Sequence, residues 1–436
     1  MHESIHKPAP FRDRAAWLAL AAAILCGTPS PAAPPAAIQV TDSQLFAKAD
    51  EAWRATWDRF YEERTHLFYD RVCSYDPARR LAFLPTPEEA ARQYPNCNGW
   101  GTGMEDCAIS GGVVMSMICD RYAATGDLGL REAGAKAFAG LVALTKHSAS
   151  EGFVIRGLCP TDGRSHYCES SRDQYTWYVY GLWRYCRSPL ATDAEKATAR
   201  RIITAVCARM ERNVVPEHDY HIGRDDGTFD GLVDKMWNND AHEIARLPMI
   251  YAIGADLTGD KRWRDLAAKF SPEAAEKSSG QSTKIPYALL QQQVSLEALY
   301  ELEKSPSLKA RWLECMHLVA RRAEAACPYV RAYRAYDVGQ VNMDWRTWGM
   351  RNSNGYQVPK MAEACTSEDR TIRQPAEVAL TQLLLPRPSL TPEQLAAVRQ
   401  TIAQVDYAKI INYGLYYTQA VYWRGVRLGV FKLPNR

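Results

Sequence analysis

From about residue 42 to the C-terminus the apolar residues keep returning at helical spacing, and this property restricts the chain to an all-helical architecture. Leu45, Ala49, Trp53, Trp57 and Phe60 line one face of a first predicted helix. Ile109, Val113, Met117 and Tyr122 line another, and Ile202, Ala205, Val206 and Met210 a third. Further helices are predicted over about 240–255, 261–270, 285–303, 307–325, 374–385, 392–402 and 407–424. Sustained strand-type alternation is scarce. Breakers such as Gly126-Asp127, Ser188-Pro189, Thr258-Gly-Asp260, Ser305-Pro306 and Pro386-Arg-Pro388 separate the helices. Thr192 and Thr391 precede an acid or proline in a first turn, as helix caps do. About a dozen helices joined by alternating short and long loops fit an all-α fold, an (α/α)6 toroid of helical hairpins whose longer loops build a cleft at one end. An open helical solenoid is the competing layout, but the residue-level repeat of solenoids is missing.

The start of the chain follows a different rule. A basic, His-bearing opening, an apolar run from Ala15 to Leu25 and a Pro/Ala-rich stretch through Ala37 have the order of a secretory leader. The run is too short to span a bilayer comfortably, and Ala32, Ala33, Ala36 and Ala37 suit cleavage. Residues 1–37 are therefore expected to be a signal peptide, and 38–436 one large domain, secreted or periplasmic, with no stable membrane anchor once the leader is gone. Cys26 would serve a lipoprotein anchor, but Leu25 is bulky where such sites carry a small residue.

One of the 12 cysteines lies in the leader, and the odd set that remains cannot all pair within one chain. Cys73 with Cys97 and Cys159 with Cys168 flank turn-rich loops and are the expected bridges, whereas Cys119 and Cys207 fall in apolar helical patterns and read as buried thiols. No spacing matches a zinc ribbon or a complete calcium loop, so no metal and no cofactor is expected. The net charge of +3 carries no basic run, which excludes a nucleic-acid footprint.

Two stretches hold the chemistry. Asn98-Gly-Trp-Gly-Thr-Gly-Met-Glu-Asp-Cys107 puts three glycines ahead of Glu105 and Asp106 at a helix start, where the dipole favours a charged carboxylate. Helix capping is the alternative role for either acid. Thr161 to Tyr185 crowds Asp162, His166, Glu169, Arg172, Asp173, Gln174, Tyr175 and Trp177 into one loop and helix start, with Asp173 and Trp177 on one face. Such a set is suited to a sugar: acids move protons, arginine clamps a carboxylate, and a ring stacks on a pyranose. Trp237-Asn-Asn-Asp-Ala-His-Glu243 brings Asp240 and His242 to another helix start, where they can reach hydroxyls or simply cap the helix. Asp344-Trp-Arg-Thr-Trp348 pairs Arg346 with Trp345 in a form that would stack on a sugar and neutralise its carboxylate.

Ser171-Arg-Asp-Gln-Tyr-Thr-Trp-Tyr-Val-Tyr-Gly181 resembles the Ser/Ala-Arg-Gly-Gln-x-x-Trp-x-x-Tyr-Gly element of unsaturated glucuronyl and rhamnogalacturonyl hydrolases, six-hairpin glycosidases with an (α/α)6 barrel. The likeness is strong over this element and architectural elsewhere. Those families use two Asp residues on separate hairpins, and Asp106 is the counterpart of the first by position. Asp162 or Asp173 would stand for the second, although Asp173 occupies the place of a glycine in the element. Gly-Met-Glu-Asp-Cys together with Ser-Arg-Asp-Gln-Tyr resembles related bacterial exo-acting β-glucuronidases.

The resemblance implies a glycoside hydrolase that releases a terminal uronic acid from a uronic-acid-containing glycan. Asp173 is the preferred proton donor, Asp106 or Glu105 the base, and His166 a further catalytic candidate. Arg172 or Arg346 would hold the substrate carboxylate, and Trp100, Trp177 and Trp345 would stack, with Asp162, Gln174, Tyr175, Asp240 and His242 completing the expected contacts. A polysaccharide lyase working through Tyr175 and His166, and a glycan-binding protein without turnover, are the alternatives.

Overall fold

In the computed structural model, residues 40–280, 283–327, 331–353 and 355–434 are described. The proposed leader lies outside them. The helices are α1 (Asp42–Ala55), α2 (Pro87–Ala91), α3 (Cys107–Thr125), α4 (Leu130–Lys146), α5 (Arg172–Cys186), α6 (Asp193–Asn213), α7 (Arg246–Thr258), α8 (Lys261–Lys277), α9 (Pro286–Leu302), α10 (Pro306–Ala326), α11 (Glu363–Glu368), α12 (Gln374–Leu383), α13 (Pro392–Ala403) and α14 (Gly414–Arg427). Two small hairpins, β1 (Tyr61–Glu62) with β2 (Leu67–Phe68) and β3 (Met350–Ser353) with β4 (Tyr356–Pro359), are the strand pairs among the described residues.

The packing closes a ring. α3 packs on α5, α5 on α7, α7 on α9, α9 on α12, α12 on α14, and α14 returns to α3. The intervening helices α4, α6, α8, α10, α13 and α1 lie outside, each against one or more inner helices. Apart from the short α2 and α11, inner and outer helices alternate along the chain, so the fold is the expected (α/α)6 toroid, and the described residues form one unit.

Burial separates the two layers as amphipathicity requires. Inner α3 is buried without interruption from Cys107 to Asp120. Outer α8 buries a stripe, Trp263, Ala267, Ser271, Ala274 and Ala275. Inner helices α3 and α5 touch backbone to backbone at Gly112 and Gly181, where a Cβ on Gly112 would sit 2.2 Å from the Trp177 carbonyl oxygen. Away from the cleft, Asp120 of α3 gathers Arg184 of α5 with Arg424 and Arg427 of α14, and Arg424 continues to Glu297 of α9. These arginines occupy the last turns of α5 and α14, where the helix dipole favours cations.

Local sequence signals explain several boundaries. Thr192 and Thr391 form the expected caps, each as a full capping box. The predicted helix at 240–255 starts instead at Arg246, because residues 240–245 form a turn that delivers His242 and Glu243 to the cleft. The last helix starts at Gly414 rather than 407, since the N–H groups of Ile411 and Asn412 donate to Glu368 and that of Tyr413 to the Asp70 carbonyl. α8 runs through Pro272 to Lys277, beyond the predicted end at 270.

The expected cysteine bridges are absent. Cys73, Cys97, Cys159 and Cys168 are all free thiols, and the Cys73 thiol donates to the Arg79 and Arg80 carbonyls. Cys97 lies instead against Cys168, thiol to thiol, where the Glu169 N–H donates to the Cys97 carbonyl at 3.1 Å. No described helix is long and apolar enough to cross a membrane.

Candidate active site

All six inner helices begin at the same end of the ring, and a cleft of about 350 Å³ opens there. Its wall is built from helix starts: Asp106 before α3, Arg172 and Asp173 on α5, Arg246 on α7, Tyr287 on α9, Arg373 before α12, and Tyr413 and Tyr417 at α14. Five of these are free N-terminal ends whose positive partial charge favours anions in the space they share, whereas α12 continues from α11 through a π-helical stretch at Asp369–Arg373.

The glycine-rich loop forms one side. Gly99, Gly101 and Gly103 have φ values of 67, 84 and 88°, a left-handed backbone that suits glycine. This turns the Gly101 and Gly103 N–H groups inward, and both donate to Glu105, at 3.1 and 2.6 Å. Arg71 pairs with the same carboxylate at 3.3 Å. Glu105 therefore lines the cleft as the brace of its own loop, with both oxygens engaged, and is corrected from the role of alternative base.

Asp106 stands at the N-cap position of α3, yet its carboxylate makes no capping bond. The Arg156 carbonyl takes the Ala108 N–H at 3.1 Å, which leaves the Asp106 side chain for the cleft. Its Oδ1 accepts from Gln174 at 2.9 Å and from Arg156 at 3.4 Å, and Oδ2 accepts from the Tyr413 hydroxyl at 3.3 Å. Burial raises its pKa above the ordinary value; Arg156 and Arg373 oppose this, while Glu105 and Asp173 add to it. Beneath it, buried Asp70 accepts the Asp106 N–H at 2.9 Å. Burial, then the Asp106 and Glu105 charges, push Asp70 well above the usual carboxylate range.

Asp173 faces the same cleft under the opposite influence. Its Oδ1 pairs with buried Arg246, and Oδ2 has no hydrogen-bond partner among the described residues. Burial works against its charge, but Arg246, Arg172 and Arg156 outweigh burial and lower its pKa. Beside it, Glu243 holds Arg172 and lies 3.3 Å from His242, whose Nδ1 is buried without a partner. Trp100 and Tyr287 supply aromatic surface; the Tyr287 hydroxyl is pushed up to about 12 by burial and then Asp173, so it is a proton donor at neutral pH.

Trp100, Glu105, Asp106, Arg172, Asp173 and His242 thus meet in one cleft, and the other expected contacts do not. Gln174 is fully buried and orients Asp106 instead of reaching a ligand. Tyr175 and Trp177 are fully enclosed on opposite sides of α5: the Trp177 ring packs on Tyr417, and the Tyr175 hydroxyl serves the Val154 N–H and the Gly152 carbonyl. His166 bonds Asp225 and the Arg164 carbonyl beside a separate surface depression, and Asp162 ties its own turn through Arg164 and Ser165. Asp240 is an exposed turn residue. Trp345 is buried with its indole on the Phe83 carbonyl, and Arg346 is locked to Glu89 and Asp344. Their bonding is spent on scaffold. The lyase alternative loses both residues named for it, since neither Tyr175 nor His166 reaches the cleft.

Sequence reasoning missed Arg156, Arg246, Tyr287, Arg351, Arg373, Tyr413 and Tyr417. A usable signal existed for most of them. Arg246, Tyr287, Arg373, Tyr413 and Tyr417 sit at the starts of every second long helix, the register in which Asp106 and Asp173 already stood.

No protein-family model and no curated protein matches the chain. Among solved structures it is similar to a sugar epimerase from a ruminal bacterium, with 10% identity over 87% of this chain and 98% of that one and a TM-score of 0.49. It is also similar to a family 76 glycoside hydrolase from a bovine Bacteroides thetaiotaomicron strain, with 12% identity over 89% and 78% of the two chains and a TM-score of 0.49. A third is the GH76A α-1,6-mannanase of Salegentibacter sp. HEL1_6, with 9% identity over 77% and 99% and a TM-score of 0.37.

Proposed function

We propose that the protein is an exported glycoside hydrolase that releases a terminal uronic acid, with Asp106 and Asp173 as its acid and base. The observation that carries the reading is a pair of carboxylates in one cleft whose surroundings drive their proton affinities apart, Asp106 upward and Asp173 downward. That division is what acid/base hydrolysis of a glycoside needs.

The roles are the reverse of the sequence expectation. Asp106 is the acid. Its Oδ1 takes two donors, the Gln174 amide and Arg156, whereas Oδ2 takes only the Tyr413 hydroxyl at 3.3 Å, so the proton of the neutral form sits on Oδ2. From there it passes to the glycosidic oxygen as the bond to the anomeric carbon breaks. Asp173 is the base: Arg246 keeps it ionised through Oδ1, and Oδ2 takes a proton from the water that adds to the anomeric carbon. The arginines along the cleft and the five free helix N-termini favour an anionic sugar, and Trp100 and Tyr287 offer faces for its ring.

Aryl β-D-glucuronide, aryl glucoside and an unsaturated uronyl disaccharide, supplied in parallel, test the reading. Glucuronic acid should be released from the first, without the ultraviolet absorbance of a new conjugated double bond. A 4-linked polyuronate supplied beside them tests elimination: new absorbance from it without release of glucuronic acid would establish a lyase, and no turnover of any of the four would remove the enzyme reading. Recovery of the chain from the periplasm or medium tests export.

A further inference from the structure

The cleft's arginines are, with one exception, already paired by the protein. Arg156 contacts Asp106 and the Glu105 carbonyl, Arg172 is held by Glu243, Arg246 by Asp173, and Arg373 by Glu377 and Tyr413. Arg351 lines the same cleft and has no hydrogen bond or ion pair among the described residues. An incoming anion can bind it without first breaking an internal pair. At Arg172 or Arg246 an incoming anion would share a guanidinium that already faces a carboxylate, Glu243 or Asp173, and would meet that carboxylate's repulsion.

Arg351 is carried on a well-anchored arm. On the β3–β4 hairpin, Arg351 pairs with Val358 and Ser353 with Tyr356. The Tyr356 hydroxyl donates to Glu169 at 2.7 Å and accepts from Arg224 at 2.6 Å, and the Asn96 amide donates to the Gln357 carbonyl at 2.9 Å. Pro359 lies so close to the glycine-rich loop that a Cβ on Gly101 would come within 2.8 Å of its Cδ. Arg351 and Ser353, two positions apart on one strand, both line the cleft, as the period of a strand requires. The Trp100 ring packs on Tyr356 with centroids 6.0 Å apart, so stacking surface and cation share one support.

We infer that Arg351 binds the carboxylate of the substrate sugar and sets the preference for a uronic acid over a neutral hexose. The inference rests on the glycosidase reading for its substrate, but the binding it describes does not depend on turnover. A guanidinium meets a planar carboxylate with two parallel N–H···O bonds, a match that neither a hydroxymethyl group nor a methyl ester reproduces.

The test is calorimetric binding of D-glucuronic acid, its methyl ester and glucose 6-sulfate to the wild-type chain, Arg351→Gln and Arg351→Lys, with thermal melts to verify folding. Wild type should favour the acid over the ester by about 50-fold, Arg351→Gln should reduce that ratio to within about threefold, and Arg351→Lys should fall between. An unchanged ratio in Arg351→Gln, no preference in the wild type, or tighter binding of the sulfate would overturn the assignment. If the preference depends on Arg351 while no glycoside is cleaved, the carboxylate site stands and the hydrolase reading fails. Cleavage of aryl glucosides in preference to glucuronides would leave the hydrolase and remove the site.

Discussion

Replacing Asp120 by asparagine probes how the ring is held closed at the end away from the cleft. Asp120 Oδ1 accepts from Arg184 and Arg427, each at 2.6 Å, and Oδ2 accepts from Arg424 at 2.8 Å. Charge-assisted bonds contribute about 1.5–3 kcal/mol each, but they do not simply add here. Arg427 is 36% exposed, so water takes up its charge. Arg424 keeps Glu297 at 2.7 Å and the Tyr180 hydroxyl at 2.9 Å, whereas Arg184 loses its carboxylate and keeps only Tyr180. The loss is therefore close to that of one buried pair, about 3 kcal/mol. For a domain of roughly 400 residues, whose unfolding entropy is large, this lowers Tm by about 3–4 °C.

The effect has a definite pH dependence. Burial works against the Asp120 charge, but Arg184, Arg424 and Arg427 outweigh it and hold the folded-state pKa well below the ordinary value. A lowered pKa contributes stability that is fully present above the unfolded-state value, about 3.9, and is lost as pH falls through the folded value. Calorimetric melts should show the full gap between wild type and Asp120→Asn at pH 7, narrowing only below about pH 4. An Asp120→Asn protein as stable as wild type at pH 7 would refute the reasoning, because pairing would then do no more than offset desolvation.

Activity should depend on pH through the two cleft carboxylates. The rate rises as Asp173 ionises, below the ordinary carboxylate range, and falls as Asp106 loses its proton, above it. Arg246→Met removes the largest influence holding Asp173 down, so the acid limb of kcat/KM should move up by about 1–2 pH units; an unmoved limb would separate Asp173 from that limb. Oxidised glutathione should join Cys97 to Cys168, two thiols giving up two hydrogens as the oxidant becomes two glutathione molecules. Peptide mapping should find that bridge rather than Cys73–Cys97 or Cys159–Cys168, and either of the latter would contradict the thiol contact.

Much of the architecture was legible because a twelve-helix ring needs regular helices and short breaks, and both leave marks in sequence. α4 escaped notice although Leu130, Ala137, Phe138, Leu141 and Leu144 carry its stripe. Asp106 and Asp173 were legible as acids at helix starts. Their roles were not, because the arginines that set them, Arg156 and Arg246, become neighbours only when the ring closes. Trp177 and Tyr175 misled for a related reason. On an inner helix every face is covered, so an aromatic next to an acid in sequence can be turned wholly into the core, as the Gly112–Gly181 contact requires of α5. Arg346 and Arg351 are five residues apart, and only the fold distinguishes the one locked to Glu89 from the one left open to the cleft.

The division of labour between Asp106 and Asp173 is tested most directly by the dependence of kcat/KM on leaving-group pKa across a series of aryl and alkyl glucuronides. With Asp106→Asn, substrates whose leaving groups need no proton should stay within about tenfold of wild type, while poor leaving groups lose about 10³–10⁴-fold. With Asp173→Asn the whole series should fall together, without a change in slope. The opposite pattern, a steep slope in Asp173→Asn and a uniform loss in Asp106→Asn, would contradict the account.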